Sequence, residues 1–184
     1  MKTILPLEAH FHPLMVVDTF PLIDEVMNNR SHFGDLTFRQ DHPLSSHKNT
    51  QTIYLRSCPG KDYDAITNSL EVEEYPAWEL MPNTAKAAQA IADAVEGRLA
   101  RVLVIALAPD GVIKPHVDDG TYAHRTERFH LPILTNPGAF LEAAGDIKHL
   151  PAGVVWWFDK HVMHSGANFG TTTRVHLVVD VFHD

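Results

Sequence analysis

From residue 101 to its end the chain is a succession of short runs rich in β-branched and aromatic residues, each cut off by Gly, Pro, Asn or Asp. Residues 101–107, 129–134, 153–158 and 174–181 all have this form, and a Pro109-Asp110-Gly111 turn follows the first. Strands this short, with turn signals this frequent, pack as a sandwich or a barrel. The front half differs. Residues 18–30 place Phe20, Leu22, Ile23, Val26 and Met27 at helical spacing, and residues 83–95, opening after Pro82, are the strongest helix-forming window. Residues 31–50 are rich in His, Ser, Asp and Gly and read as a surface loop, whereas Thr50 to Arg56 alternates as a strand does. A helical front half before a strand-rich back half predicts a mainly β fold with flanking helices, and 184 residues fit a single domain.

Fifteen Lys and Arg against 23 Asp and Glu leave a formal charge of −8, which argues against nucleic acid and anionic membrane as partners and favours a small-molecule substrate. The lone cysteine, Cys58, fits a reducing compartment and a cytoplasmic protein. Pro6, Glu8, His10, His12 and Pro13 break the N-terminal stretch before it reaches export-signal length. No run approaches the roughly 18 apolar residues that cross a bilayer. What stands out is 13 histidines, because imidazole is the commonest metal ligand.

Two stretches give those histidines a chemistry. In Lys114-Pro115-His116-Val117-Asp118-Asp119-Gly120 an extended backbone puts His116 and Asp118 on one face, close enough for one metal ion. In His161-Val162-Met163-His164-Ser165-Gly166-Ala167-Asn168 a distal histidine is followed, ten positions on, by Arg174 at the head of an apolar strand. A cation pointing inward from a buried strand calls for an anion. Two imidazoles and one carboxylate leave metal positions open for a bidentate co-substrate and dioxygen, and the planar guanidinium suits that co-substrate's remote carboxylate.

These residues resemble the aspartyl/asparaginyl β-hydroxylase branch of the Fe(II), 2-oxoglutarate-dependent dioxygenases, most clearly over residues 101–183. Four blocks carry the resemblance in order: Lys114-Pro115-His116; Arg128-Phe129-His130-Leu131; Phe158-Asp159 with His164 five positions after the Asp; and Arg174 followed by Val179-Asp180-Val181-Phe182-His183. The resemblance implies a double-stranded β-helix, the cupin-like jelly roll, in residues 101–184, with residues 1–100 packed on it and shaping the substrate site. It also implies that Fe(II), 2-oxoglutarate and O2 are used to hydroxylate an unactivated C–H bond, releasing succinate and CO2. His116, Asp118 and His164 would then bind iron, and Arg174 would anchor 2-oxoglutarate. His130 would be a second co-substrate contact, Arg128 a contact to co-substrate or substrate, and His176 a pocket-lining residue. The animal aspartyl hydroxylase has glycine where this chain has Asp118, so the site looks more like that of bacterial members acting on other substrates.

A free amino acid or small derivative is the substrate class that a chain of this size suggests. A peptide or protein Asp/Asn side chain is the alternative, and a zinc-dependent or non-catalytic cupin-type protein is the rival class. Arg56 is a weaker candidate for substrate contact, His47 and His124 for the mouth of the site, and Ser165 and Asn168 for the turn after the distal histidine. Trp156, Trp157 and Phe158 read as core residues.

Overall fold

The computed structural model describes residues 10–183; residues 1–9, where an export leader was weighed, lie outside them. In chain order the elements are β1 (Phe11–Val16), α1 (Phe20–Asn28), a 3-10 turn (Arg30–His32), α2 (Phe38–Asp41), β2 (Thr50–Ser57), α3 (Tyr63–Asn68), β3 (Glu73–Glu74), α4 (Ala77–Leu80) and α5 (Pro82–Ala94). The back half adds β4 (Arg98–Leu107), β5 (Gly111–His116), α6 (Thr121–His124), β6 (Thr126–Leu134), β7 (Ala139–Ala143), β8 (Asp146–Lys148), β9 (Val154–Phe158), β10 (His164–Asn168) and β11 (Arg174–Phe182). Seven strands form one sheet in the order β1-β9-β6-β11-β4-β2-β3, and four form a second, β5-β10-β7-β8. This is a mainly β jelly roll, a double-stranded β-helix with helices flanking one sheet.

Period two in the large sheet decides which residues reach the interior. On β11, Val175, Leu177, Val179 and Val181 join the core shared with α1, α4 and α5. Phe129, Leu131 and Ile133 of β6, Val102, Val104 and Ala106 of β4, and Ile53 and Leu55 of β2 lie in the same core. The intervening residues face the opposite way, toward the small sheet. There the strands carry Arg101, Arg128, His130, Arg174, His176 and Asp180, all buried. Every residue of β11 is buried, so its polar members are interior by construction and not surface decoration.

The helical layer is fastened by a buried carboxylate. Glu25 of α1 accepts hydrogen bonds from the Asn83 and Thr84 backbone N–H groups at 2.7 and 2.8 Å, and from both side chains at 2.8 Å. These donors sit in the first turn of α5, where N–H groups lack helical partners and the helix dipole favours negative charge. Glu25→Ala should cost on the order of 3 kcal/mol, because it leaves several buried donors unpaired. A urea midpoint close to wild type would show that the carboxylate does not hold α5.

The strand-rich half begins earlier than the sequence reading had it. β4 starts at Arg98, which puts Arg101 inside the strand, and β1 and β2 from the front half pair within the large sheet. β1 escaped notice because Pro13 interrupts it; the structure places it at the sheet edge, with a register shift between Pro13 and Met15, where a missing N–H is tolerated. Residues 31–49 contain the 3-10 turn and α2, and not loop alone. No helix among the described residues is long and apolar enough to cross a membrane.

Candidate metal centre and anion pocket

β5 and β10 pair antiparallel with His116 directly opposite His164, so the ladder itself brings the two imidazoles together, with ring centroids 4.2 Å apart. Asp118 follows the end of β5, and its backbone N–H donates to the Lys160 carbonyl at 3.1 Å. Its Oδ1 lies 3.4 Å from His116 Nε2 and 3.7 Å from His164 Nε2. One ligand atom from each residue falls within 4.8 Å of the others.

The hydrogen bonds of the two rings fix which nitrogen is available. His116 Nδ1 donates to the Lys114 carbonyl at 2.7 Å and His164 Nδ1 to the Val162 carbonyl at 2.9 Å, which leaves both Nε2 lone pairs aimed at the Asp118 side. His116 Nε2 is buried without a partner. Burial pushes the Asp118 carboxyl up, but Arg128, His116 and His164 outweigh it and hold the group well below the usual carboxylate range. Two imidazoles with Nε2 available and one ionised carboxylate, already converged, fit a divalent transition metal with positions left open.

Beside His116 and His164 lies a small cavity of about 40 Å³, lined also by His130, Leu141, Phe158, Ser165 and Arg174. Arg174 is 2% exposed, and its Nε and Nη1 have no hydrogen-bond partner. Burial alone pulls its pKa down to about 10. A guanidinium in this position costs free energy until an anion meets it. The wall beside it is close: a side chain at Gly166 would come within 3.6 Å of Arg174 Nη1. His176 lies two residues along the same face; its Nδ1 is 3.4 Å from that of His130, and its Nε2 is unpartnered.

Arg128 has partners other than those the sequence reading gave it. Its Nε and Nη2 donate to the two oxygens of Asp180 at 2.8 and 3.0 Å, directly across the β6–β11 ladder, and its Nη1 donates to Asp118. With a carboxylate on each side, it has no uncompensated charge to offer a ligand; it orients Asp118. Arg56 pairs with Glu74 at 2.9 Å, donates to the Ala100 carbonyl and lies over Trp78, away from the cavity. His47 lines the cavity beside His116. His124 is at the surface, 2.9 Å from Asp119. Ser165 lines the small cavity and donates to Glu142, while Asn168 closes a turn through the Leu107 and Thr172 carbonyls. Phe158 walls the small cavity, edge-on to His164 at 4.9 Å. Arg39 and Arg101 line an adjoining, larger cavity, and the sequence reading gave neither a role.

Four histidines around the cavity are held neutral. Burial, helped by Arg39, Arg128 and Arg174 respectively, puts His47, His130 and His176 well below the ordinary imidazole value. Burial brings His164 down to about 4, against the pull of Asp118. The unfolded chain takes up protons at these imidazoles near pH 6.5, and the folded protein does not. Stability of the metal-free protein is therefore complete above about pH 6.5 and falls as the pH drops toward 4. Urea midpoints should decline steeply over that window; a flat profile contradicts the burial of neutral rings. An ordinary imidazole would release iron in mild acid, but His164 stays unprotonated well below that range.

A family model described as aspartyl/asparaginyl beta-hydroxylase matches residues 25–184. The chain belongs to the aspartyl/asparaginyl β-hydroxylase family. The match reaches well into the front half, beyond the segment of clearest sequence resemblance. The L-proline cis-4-hydroxylase of Rhizobium meliloti (strain 1021) is 31% identical over 77 residues, 42% of this chain and 28% of that relative's length. Among solved structures, the non-heme alpha ketoglutarate dependent epimerase SnoN from nogalamycin biosynthesis superposes with a TM-score of 0.62 at 13% identity, over 94% of this chain and 77% of that one. An oxidoreductase of the 2OG-Fe(II) oxygenase family from Burkholderia pseudomallei gives 0.59 at 12%, over 95% and 85%. These likenesses place the β-hydroxylase family member in the jelly-roll fold of such oxygenases.

Proposed function

We propose that this β-hydroxylase family member is an Fe(II)- and 2-oxoglutarate-dependent dioxygenase that hydroxylates an unactivated C–H bond of a free amino acid or small amino-acid derivative. The observation that carries the reading is Arg174: a buried guanidinium with two unpartnered nitrogens, lining the same small cavity as His116 and His164 of the three-ligand cluster. A zinc hydrolase needs the three ligands but has no use for that arginine. The relative that acts on L-proline, as its name states, supports a small amino-acid substrate.

In this reading His116, Asp118 and His164 hold the metal through Nε2, a carboxylate oxygen and Nε2. Iron held there would activate O2 with 2-oxoglutarate as co-reductant, chemistry that yields succinate, CO2 and a hydroxylated substrate. The protein's share is positioning and charge. Arg174 receives the distal carboxylate of 2-oxoglutarate, with Ser165, His130 and His176 around it. Arg128, braced by Asp180, keeps Asp118 ionised and pointed at the metal. Phe158, Leu141 and Ile113 exclude water from the small cavity. The chain acts as one domain in this reading, with Arg39 and His47 of the front half supplying one wall of the substrate cavity.

The test is a succinate-coupled screen of free amino acids, small derivatives and short peptides with Fe(II), ascorbate and 2-oxoglutarate, read by a mass gain of one oxygen. A hydroxylated small amino acid is the expected product. Products from peptides alone would overturn the substrate class, and turnover without O2 would overturn the reaction class.

A further inference from the structure

A second cavity, of about 300 Å³, is lined by His116 and Asp118 and shares Arg39, His47, Leu103, His116 and Arg128 with the smaller one. Its walls come from the 38–47 segment, β4, α3 and the 117–123 stretch. Two arginines stand in these walls. Arg39 is 9% exposed; its Nη2 donates to His47 Nε2 at 2.8 Å, and its Nη1 has no partner. Arg101 is 5% exposed; its guanidinium carbon lies 3.4 Å over the Tyr122 ring, and its Nε and Nη2 have no partner.

No protein carboxylate is hydrogen-bonded to either guanidinium among the described residues. The acids lining this cavity among the described residues are Asp118 and Asp119. Asp118 already meets Arg128, and Asp119 points to solvent, paired with His124 and the Gly120 N–H. Arg128 is compensated by Asp118 and Asp180. His47, the one group bonded to Arg39, meets it at Nε2 and brings no carboxylate to it. Arg39 and Arg101 are therefore two buried cations with unpartnered N–H donors and no protein carboxylate bonded to them. Stacking on Tyr122 and the bond to His47 hold both guanidinium groups in place before any ligand arrives.

We propose that Arg39 and Arg101 bind the carboxylate of the primary substrate, and that this substrate is a net-anionic acid whose amine is masked, of the N-acyl amino acid kind. The two donors explain the carboxylate. The masked amine follows from what the wall lacks: an ammonium group would enter beside two cations with no free acid to meet it, at the cost of a second unpaired charge. The proposal rests on the dioxygenase reading only in naming this ligand the primary substrate; the binding itself does not depend on it.

The experiment is a thermal-shift series on the full chain with three matched sets of probes: N-acetyl-L-amino acids, the corresponding free L-amino acids, and the N-acetyl amides. At least one N-acetyl acid should raise Tm by several degrees, while its amide and its free amino acid do not. Arg39→Gln and Arg101→Gln should each lower affinity for that acid at least tenfold, and Arg174→Gln should leave it unchanged. Folding of the variants is controlled by circular dichroism and, for Arg101→Gln, by 2-oxoglutarate, whose own stabilising shift should survive in that variant and vanish in Arg174→Gln. Equal stabilisation by amide or free amino acid, retention of the acid's shift in both arginine variants, or no shift from any N-acetyl acid overturns the proposal. Loss of the 2-oxoglutarate shift in wild type, with the acid's shift intact, would overturn the dioxygenase reading and leave this site standing.

Discussion

His164→Ala is expected to abolish iron uptake and to lower succinate formation by about a thousandfold or more, with the product lost in step. The imidazole is 5% exposed, sits across the ladder from His116, and has its Nδ1 committed to the Val162 carbonyl, so no neighbouring side chain takes over its Nε2. Two ligands cannot hold a divalent ion against exchange as three do. The same change removes an aromatic ring packed against Phe158, so apo stability must be measured beside it. Metal content determined on folded variant and wild type separates the two effects. Near-stoichiometric iron in the variant would mean that His164 is not a ligand.

The second large effect falls on the co-substrate and carries an opposite sign on stability. Arg174→Gln should raise the 2-oxoglutarate requirement tens to hundreds-fold, from loss of a charge-assisted contact of about 2–4 kcal/mol. Without ligand, the variant should be as stable as wild type or more so, because a buried cation with unpartnered nitrogens is removed. A structural arginine would behave in the reverse way: its loss would lower stability and leave co-substrate affinity alone. Titration of 2-oxoglutarate and a urea melt on the same preparation decide between them.

Much of this site is written in a pattern that any strand reading detects. Arg128-x-His130 and Arg174-x-His176 put polar side chains at every second position of otherwise apolar strands, and period two sends them all to one face. Arg101 and Asp180 obey the same rule. Arg101 was overlooked because the strand was taken to begin there, and Asp180 because nothing in the sequence says that Arg128 lies opposite it. Pairing across a sheet depends on strand order, and that order is set by contacts remote in the chain. Arg39 has no such signal, and His47 stands out in the sequence only as a histidine that could border the mouth. They lie in irregular chain around the short α2 helix, where neither period applies, and only the fold brings them against β4 and β5. The fold class was readable because breakers recur so often after residue 101; β1 was not, because a proline stands in an edge strand.

The most direct test of the account is an anaerobic titration. Fe(II) is added to the metal-free protein, then 2-oxoglutarate, and the visible spectrum is followed for the weak absorption of an iron(II)–keto-acid chelate. A saturable band is expected at one equivalent of each, absent in His164→Ala and shifted to much higher 2-oxoglutarate in Arg174→Gln. No band with wild type, or an undiminished band in both variants, would contradict the claim that these side chains build an iron and 2-oxoglutarate site.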